Sequence, residues 1–439
     1  MHILCVSGLH VGIIYVILNN LLLFLNRKRL LRITKVVLLL LLIWTYALIT
    51  GLSPSVLRAS TMFSFIIIGN SMKRKANIYN SLSASAFVLM IFNPFIITQV
   101  GFQLSYLAVF GIVMLYKPIV NLFIPGNMVV RWIWQISVVS IAATLATFPL
   151  SLFYFHQFPN LFLLTNLVAI PASMLIIYTG ILVLIFSPLP ILSGLVAKIL
   201  AGIIWILNFM VNRIEGLTFS VSKNIYINGM EMIIIFGIGI SLLIVSLQGK
   251  KKYVFPLLVC ASLLLISFTY RNYTSLNQKS IVIYNISKTS AIDFISQKSD
   301  FLLADSLLTP NKMEYHINNF WTAQKVRNHS RFELMDSIRT SSVFFKLNNF
   351  IQFHDKRLIL INRDFPVIAF PQKMRVDYII LSGSPFLKIE ELNACFVFDK
   401  IVFDASNSLW MVNKWKEECK ESGIDFYDVK TNGAWRKAL

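Results

Sequence analysis

Apolar runs long enough to cross a bilayer recur through the first 270 residues of this 439-residue chain. They fall near 3–25, 36–52, 54–70, 78–97, 101–117, 131–153, 161–187, 189–212, 232–248 and 254–270. A helix rising about 1.5 Å per residue needs about 20 residues to span the hydrocarbon. The pattern predicts a polytopic α-helical membrane protein of about ten transmembrane helices, because lipid leaves backbone polar groups no partner outside a helix or closed barrel. Pro94, Pro149 and Pro171 interrupt several runs. Such breaks are tolerated where protein or a water-filled cavity satisfies the freed backbone, which suits a polar path through the bundle.

Charge separates the chain into two halves. Residues 1–270 carry 17 Lys+Arg against 2 Asp+Glu, whereas residues 271–439 carry 23 against 18. Arg27, Lys28, Arg29, Arg32 and Lys35 follow the first run, Lys73, Arg74 and Lys75 the third, Lys117 and Arg131 flank the loop after the fifth, and Lys250, Lys251 and Lys252 precede the tenth. With ten crossings every cluster falls on one side, and the positive-inside bias makes that side the cytoplasm. The N-terminus and the tail then lie outside. The net charge of +20 therefore reads as loop bias more than as a nucleic-acid surface. Met1 does not open a secretory signal, since neither a basic n-region nor a small-residue cleavage site accompanies it.

From Arg271 the texture changes, and the domains expected are a membrane region over 1–270 and a soluble region over 271–439. β-rich runs at Ile281–Asn285, Val343–Leu347, Leu358–Asn362, Asp377–Ser382 and Lys400–Asp404, with a helix over Leu409–Ser422, predict a small soluble α/β domain. No P-loop pattern occurs, and Gly249-Lys250-Lys251-Lys252 is a loop charge run. Cys5 and Cys260 read as small apolar helix residues. Cys395 and Cys419 share the tail without a spacing that fixes a disulfide, and no zinc site is indicated.

Polar islands interrupt the apolar runs. SGLHVG at 7–12 sets Ser7 and His10 on one helix face and Gly8 and Gly12 as a small-xxx-small pair, which permits close backbone approach. The alternative is a packing seam with a hydrogen-bonded core histidine. GLSPSVLRAS at 51–60 contains Gly51, Ser53 and Pro54 at a turn and places Arg58 about one turn into the next helix, where its guanidinium either snorkels outward or points into a cavity and attracts phosphate. NPFIITQVGFQLSY at 93–106 ends one run at Asn93-Pro94 and opens another with Gly101, Gln103 and Ser105. Gln103 and Ser105 are two apart and do not share a face. FPLSLFYFHQFPN at 148–160 and NLVAIPAS at 166–173 add His156, Pro159, Asn166 and Pro171 around an outside turn.

In this order the islands SGLHVG, GLSPSVLRAS, NPF with VGFQLSY, FHQFP and NLVAIP resemble the motifs of the ComEC family of competence proteins, over roughly residues 1–250. The resemblance implies an inner-membrane channel carrying single-stranded DNA into the cytoplasm during natural transformation. Ser7, His10, Arg58, Gln103 and Ser105 are the residues expected to line or shape the path. The resemblance also implies extra helices and an outside oligonucleotide-binding-type domain ahead of SGLH. Neither precedes the motif here, which suggests a truncated chain or a late start.

The tail resembles the family's metallo-β-lactamase-like domain in SIVIYNISKTSAIDF at 280–294, LLADS at 302–306, VDYIILSGSP at 376–385, KIVFDASNS at 400–408 and NGAW at 432–435. Active members of that fold carry clustered histidines and carboxylates. Here His316, His329 and His354 stand isolated, so the tail is expected to be degenerate, without metal, cofactor or nuclease activity. Asp305 and Asp404 either keep fold positions of an ancestral site or cap loops.

DNA strands need a wet passage lined by neutral polar or cationic groups. Directional movement needs work, and the resemblance supplies a cytoplasmic helicase-like ATPase and an outside DNA-binding receptor as partners, beside the lipid membrane and a second copy of the chain. Two other readings compete. A small-solute transporter would show internal pseudo-symmetry, and no convincing repeat is found. An intramembrane serine hydrolase would use Ser7 as nucleophile and His10 as base, and would need an oxyanion hole nearby.

Overall fold

The computed structural model describes residues 8–26, 29–72, 77–248, 251–334, 336–339, 343–363, 365 and 372–439. Ser7, Cys5, Arg27, Lys28, Lys73, Arg74, Lys75, Gly249 and Lys250 lie outside the described residues. Two compact units emerge, residues 1–260 and 261–439.

Among the described residues the first unit is built on helices α1 (Gly8–Leu21), α2 (Arg29–Ile49), α3 (Pro54–Ser71), α4 (Ile78–Phe92), α5 (Val100–Val120), α6 (Met128–Phe155), α7 (Phe162–Ile185), α8 (Pro190–Glu215), α9 (Gly229–Gln248) and α10 (Val254–Asn277), the last running on into the second unit. Each expected apolar run has a helical counterpart. Seven of them, α2 and α5 to α10, are long and apolar enough to cross a membrane. The helices α1 and α4 are apolar but shorter, and α3 falls outside that set.

The sequence of α3 is PSVLRASTMFSFIIIGNS, and its polar residues concentrate in the first three turns. They do not meet lipid, because α3 packs against α1, α2, α4 and α5. Val56, Arg58, Ala59, Ser60, Thr61 and Ile67 are all buried. A helix enclosed by other helices can carry hydroxyls that bond its own carbonyls, and Thr61 donates to Leu57 O at 2.8 Å. A second hub forms around α6, which packs against α5, α7 and α9.

Turns follow local chemistry. Gly51 takes φ +79° between α2 and α3, a left-handed conformation that suits glycine, and Pro54 begins α3 where its missing N–H costs nothing. Asn93 ends α4 and accepts from Phe95 N–H at 3.1 Å, capping a short 3-10 turn over Pro94–Thr98. His156 adopts φ 53° after α6, and the chain then forms β1 (Phe158–Pro159), antiparallel to β2 (Val221–Ser222). Asn160 ties the same two loops, donating to Phe219 O at 2.8 Å.

The second unit begins with β3 (Lys279–Ile283), β4 (Ala291–Ser296) and β5 (Ser299–Ala304), then α11 (Pro310–His316), α12 (Asn318–Gln324) and β6 (Asn328–Glu333). There follow β7 (Ile338–Arg339), β8 (Phe344–Leu347), β9 (Phe350–Phe353), β10 (Lys356–Ile361), β11 (Met374–Arg375) and β12 (Tyr378–Leu381). The chain closes with α13 (Ile389–Cys395), β13 (Phe396–Val397), β14 (Lys400–Phe403), α14 (Leu409–Glu421), β15 (Phe426–Asp428), α15 (Val429–Asn432) and β16 (Trp435–Ala438).

One sheet runs β16-β3-β4-β5-β6, the other β15-β14-β12-β10-β9-β8-β7, and β11 pairs with β13 apart from both. Strand alternation explains how they stack. Ile281 and Ile283 of β3 share a core with Leu358 and Leu360 of β10, so the sheets pack face to face. Val282 packs outward with Ile317 and Trp321, and Ile359 and Ile361 pack outward with Val412 and Trp415. The layers are therefore helix, sheet, sheet, helix. Cys395 and Cys419 lie buried on the outer α13/α14 side.

Close approach of α5 and α6 makes a specific prediction. A Cβ at Gly111 would meet Ala142 O at 2.8 Å and collide with the Ala146 side chain, whereas one at Gly202 of α8 would meet nothing within 4 Å. Gly111→Val should therefore destabilise the detergent-solubilised protein by about 1–3 kcal/mol, as overpacking does. Gly202→Ala should leave its thermal midpoint near that of the parent.

Candidate functional site

Arg58 is placed by four residues of α3 after Pro54, about 6 Å along the axis. Its side chain is 7% exposed, so the guanidinium does not snorkel to the surface. Nη1 donates to the backbone carbonyl of Ser105 in α5, and the guanidinium carbon stands 6.0 Å from the ring centre of Tyr106. The Tyr106 hydroxyl in turn shares a hydrogen bond of 2.9 Å with Ser85 of α4, which is fully buried. From the other side α1 presents Gly8, where a Cβ would collide with Arg58 Nη2. Three polar islands thus converge on one cation.

No carboxylate compensates it from nearby sequence, because the chain contains no Asp or Glu before Glu215. The other acid of this unit, Glu231, is buried at the start of α9 and accepts from Asn228 N–H at 3.0 Å. Arg58 Nε has no partner among the described residues. The cation is held by a carbonyl dipole and an aromatic face, both weaker than an anion and both exchangeable for one.

The remaining predicted residues divide. Gln103 donates from Nε2 to Ile97 O at 2.8 Å and accepts at Oε1 from the Tyr154 hydroxyl at 3.0 Å, linking α5 to α6 on a different face from Ser105. Ser105 itself contributes its carbonyl. Gly12 lets α1 lie on Phe63 of α3, and Gly101 lies in ordinary contact with Pro54. Ser53 precedes α3 without a side-chain cap, its buried hydroxyl having no partner among the described residues. His10 is half-buried on α1. The structure does not bring the others to Arg58: Gly51, Asn93 and Pro94 serve turns, and the His156 ring packs on Tyr226 at 5.3 Å. Asn166 lies half-buried on α7, where Pro171 lines an apolar groove with Leu207 of α8. Ser7 falls outside the described residues.

Sequence reasoning missed Tyr106, Ser85 and Tyr154, whose partners lie on other helices. The final Tyr of VGFQLSY was the available signal, one residue beyond the motif positions singled out.

In the second unit Asp305 caps its loop, accepting from Ser290 N–H at 2.9 Å and Leu307 N–H at 3.0 Å. Asp404 is fully buried at the end of β14 and accepts from Ser406 N–H at 2.9 Å and Asn407 Nδ2 at 3.1 Å. Burial pushes its carboxyl above the ordinary range, against the surrounding serine hydroxyls. Asn407 also ties back to the neighbouring strand end, accepting from Ser384 N–H at 2.8 Å. These hydroxyl and amide donors bond one another and do not make the nitrogen- and carboxylate-rich set that two catalytic metals require. His354 meets Ser296 Oγ at 3.1 Å, His329 meets Asp300 at 2.7 Å, and His316 ends α11. Among the described residues no three His, Cys, Asp or Glu gather to hold a metal.

With this geometry in view, residues 1–252 match the family model described as Competence protein, and residues 281–439 match that described as ComEC C-terminal domain. The chain belongs to the ComEC family of competence proteins. The ComE operon protein 3 of Bacillus subtilis (strain 168) is 32% identical over 199 residues, covering 45% of this chain and 23% of the relative. The match thus spans less than a quarter of that relative's length. No solved structure matches. The family and the apolar helices together make this a multi-pass membrane protein with a strand-rich C-terminal region.

A buried acid pair in the ComEC C-terminal region was not legible beforehand. Asp293 in β4 accepts from Trp321 Nε1 at 2.7 Å and from the Tyr284 hydroxyl at 2.8 Å, and Asp300 lies in the adjacent β5. Burial raises both carboxyls well above the ordinary range, and Asp300 adds to the effect on Asp293. The folded state therefore holds protons that the unfolded chain releases, so stability falls as pH rises from the ordinary carboxyl range, about 4, to about 7. His329 and His354, pushed down by burial, act oppositely and lower stability as pH falls through the ordinary imidazole range. In residues 278–439 expressed alone, Asp293→Asn should lessen the fall in melting temperature between about pH 4 and 7 by a few degrees, read as a melting series across pH.

Proposed function

We propose that this chain forms the conduit through which single-stranded DNA crosses the inner membrane into the cytoplasm during natural transformation. The observation carrying the proposal is Arg58, a buried cation with no nearby acid in sequence, held by the Ser105 carbonyl at the junction of α1, α3 and α5. A passing phosphodiester is a stronger acceptor than a carbonyl, so the guanidinium exchanges Ser105 for phosphate and returns to it afterwards. In the resting state the same contact holds the three helices together and limits leakage. Gly8 provides the clearance that this movement needs.

Arg58→Leu tests the conduit directly in a transformable host carrying the full-length gene. Transformation should fall roughly 10- to 100-fold, the factor for a charge-assisted hydrogen bond worth about 1.5–3 kcal/mol, with the amount of protein in the membrane unchanged. Arg58→Lys should keep part of the activity by keeping the charge without the planar fork. Transformation that survives Arg58→Leu would remove Arg58 from the path.

The ten helices cross ten times in this proposal, with the basic loops cytoplasmic and the C-terminal region outside. Its core of two stacked sheets resembles a metallo-β-lactamase arrangement with hydroxyls and amides at the strand ends. We assign it no nuclease activity. Work for transport comes from a cytoplasmic helicase-like ATPase, and DNA arrives from an outside receptor. A reporter fused after Asn277 should be active only outside the cytoplasm, and residues 278–439 should cut no DNA with manganese or zinc added. A cytoplasmic reporter signal would overturn the placement, and metal-dependent cleavage would overturn the assignment of the tail.

A further inference from the structure

A cavity of about 380 Å³ opens where the last turns of α1 and α3 meet the first turns of α2. Arg32, Lys35, Asn19, Asn26 and Asn70 supply its polar wall. Lys35 is 6% exposed, and its ammonium donates to Asn26 Oδ1 at 3.3 Å, a neutral acceptor that leaves the charge unbalanced. Arg32 is half-buried beside it. No acidic residue lines the cavity, and none stands in the sequence within reach of these elements. Two cations converging on a half-open cleft without an acid call for an anion from outside the chain.

The shape selects among anions. Inward, the cavity ends on Leu39 and Ile67, which belong to the packed core shared by α1, α2 and α3. A polymer that must pass through the protein finds no passage there. Round α2 from the face that lines the cavity, Leu30, Ile33 and Val37 are exposed and apolar, as a lipid-facing side is. Arg32 and Lys35 sit roughly 5–9 Å from the start of α2, the depth of headgroups rather than of the hydrocarbon centre. Basic pockets of this kind between helices bind anionic headgroups.

We propose that this cleft binds the phosphodiester headgroup of an anionic phospholipid, Arg32 and Lys35 taking the phosphate and the asparagines the glycerol oxygens. The inference rests on the membrane setting and is independent of what the channel carries. Bound lipid bridges the ends of α1, α2 and α3.

Full-length protein in nanodiscs of phosphatidylcholine with a minor fraction of phosphatidylglycerol tests this by native mass spectrometry of the lipid retained after release. The wild type should keep phosphatidylglycerol selectively. Arg32→Gln combined with Lys35→Gln should reduce retention at least about tenfold, and Lys35→Arg should preserve it. If the double variant does not fold, Arg32→Gln alone, at the half-buried rim, should still lower retention several-fold. Equal retention of both lipids by the wild type, or retention unchanged by Arg32→Gln, would overturn the proposal. So would displacement of the lipid by a short oligothymidylate whose own binding is lost in the same variants, which would assign the cleft to DNA.

Discussion

A guanidinium buried in the membrane unit of a chain that has no acid before Glu215 dictates much of the surrounding packing. A charge within a span is costly, up to about 2.5–3.5 kcal/mol at its centre on insertion scales. Here neighbouring helices offset that cost with dipoles instead of a counter-ion. The Ser105 carbonyl comes from α5, the Tyr106 ring is steadied by Ser85 of α4, and α1 approaches closely only because residue 8 lacks a side chain. The arrangement also explains why α3 is the most polar of the long helices. It is enclosed by protein, so its sequence answers to neighbours rather than to lipid.

Arg58 and the Arg32/Lys35 cleft apply one rule at two places in the helix bundle. Cations without carboxylates either borrow carbonyls and rings or wait for an external anion. At Arg58 the borrowed partner is a carbonyl, which an anion can replace. Near the helix ends the cleft closes on a packed core, which suits a ligand that stays. The C-terminal unit follows the opposite habit: its buried carboxyls Asp293 and Asp404 are held by indole, phenol, serine and amide donors.

The architecture was legible where periodicity carries it. Apolar runs expected at 131–153 and 189–212 appear as α6 and α8, and the strand expected at Lys400–Asp404 appears as β14. Hydropathy counts α3 poorly because it assumes lipid on the outside of every span. Motif reading found Gly8, Arg58 and Ser105 separately, yet nothing in their spacing states that they meet, since the contacts join residues 47 or more positions apart. Ser105 acts through its backbone, which side-chain chemistry cannot reveal. Asn93 and His156 drew notice as polar residues and serve a cap and a left-handed turn, roles that residue type alone does not separate from lining a path. The pairing of β16 with β3, across nearly the whole second unit, is likewise a tertiary fact.

A photo-crosslinking amino acid in place of Tyr106, with labelled DNA caught during uptake in living cells, measures the central claim most directly. The ring at that position faces Arg58, so the account predicts a DNA adduct there and none from the same amino acid at Phe87, which is exposed on the outer face of α4. Absence of an adduct at 106 during active uptake, or equal yields at 106 and 87, would contradict a DNA path past Arg58.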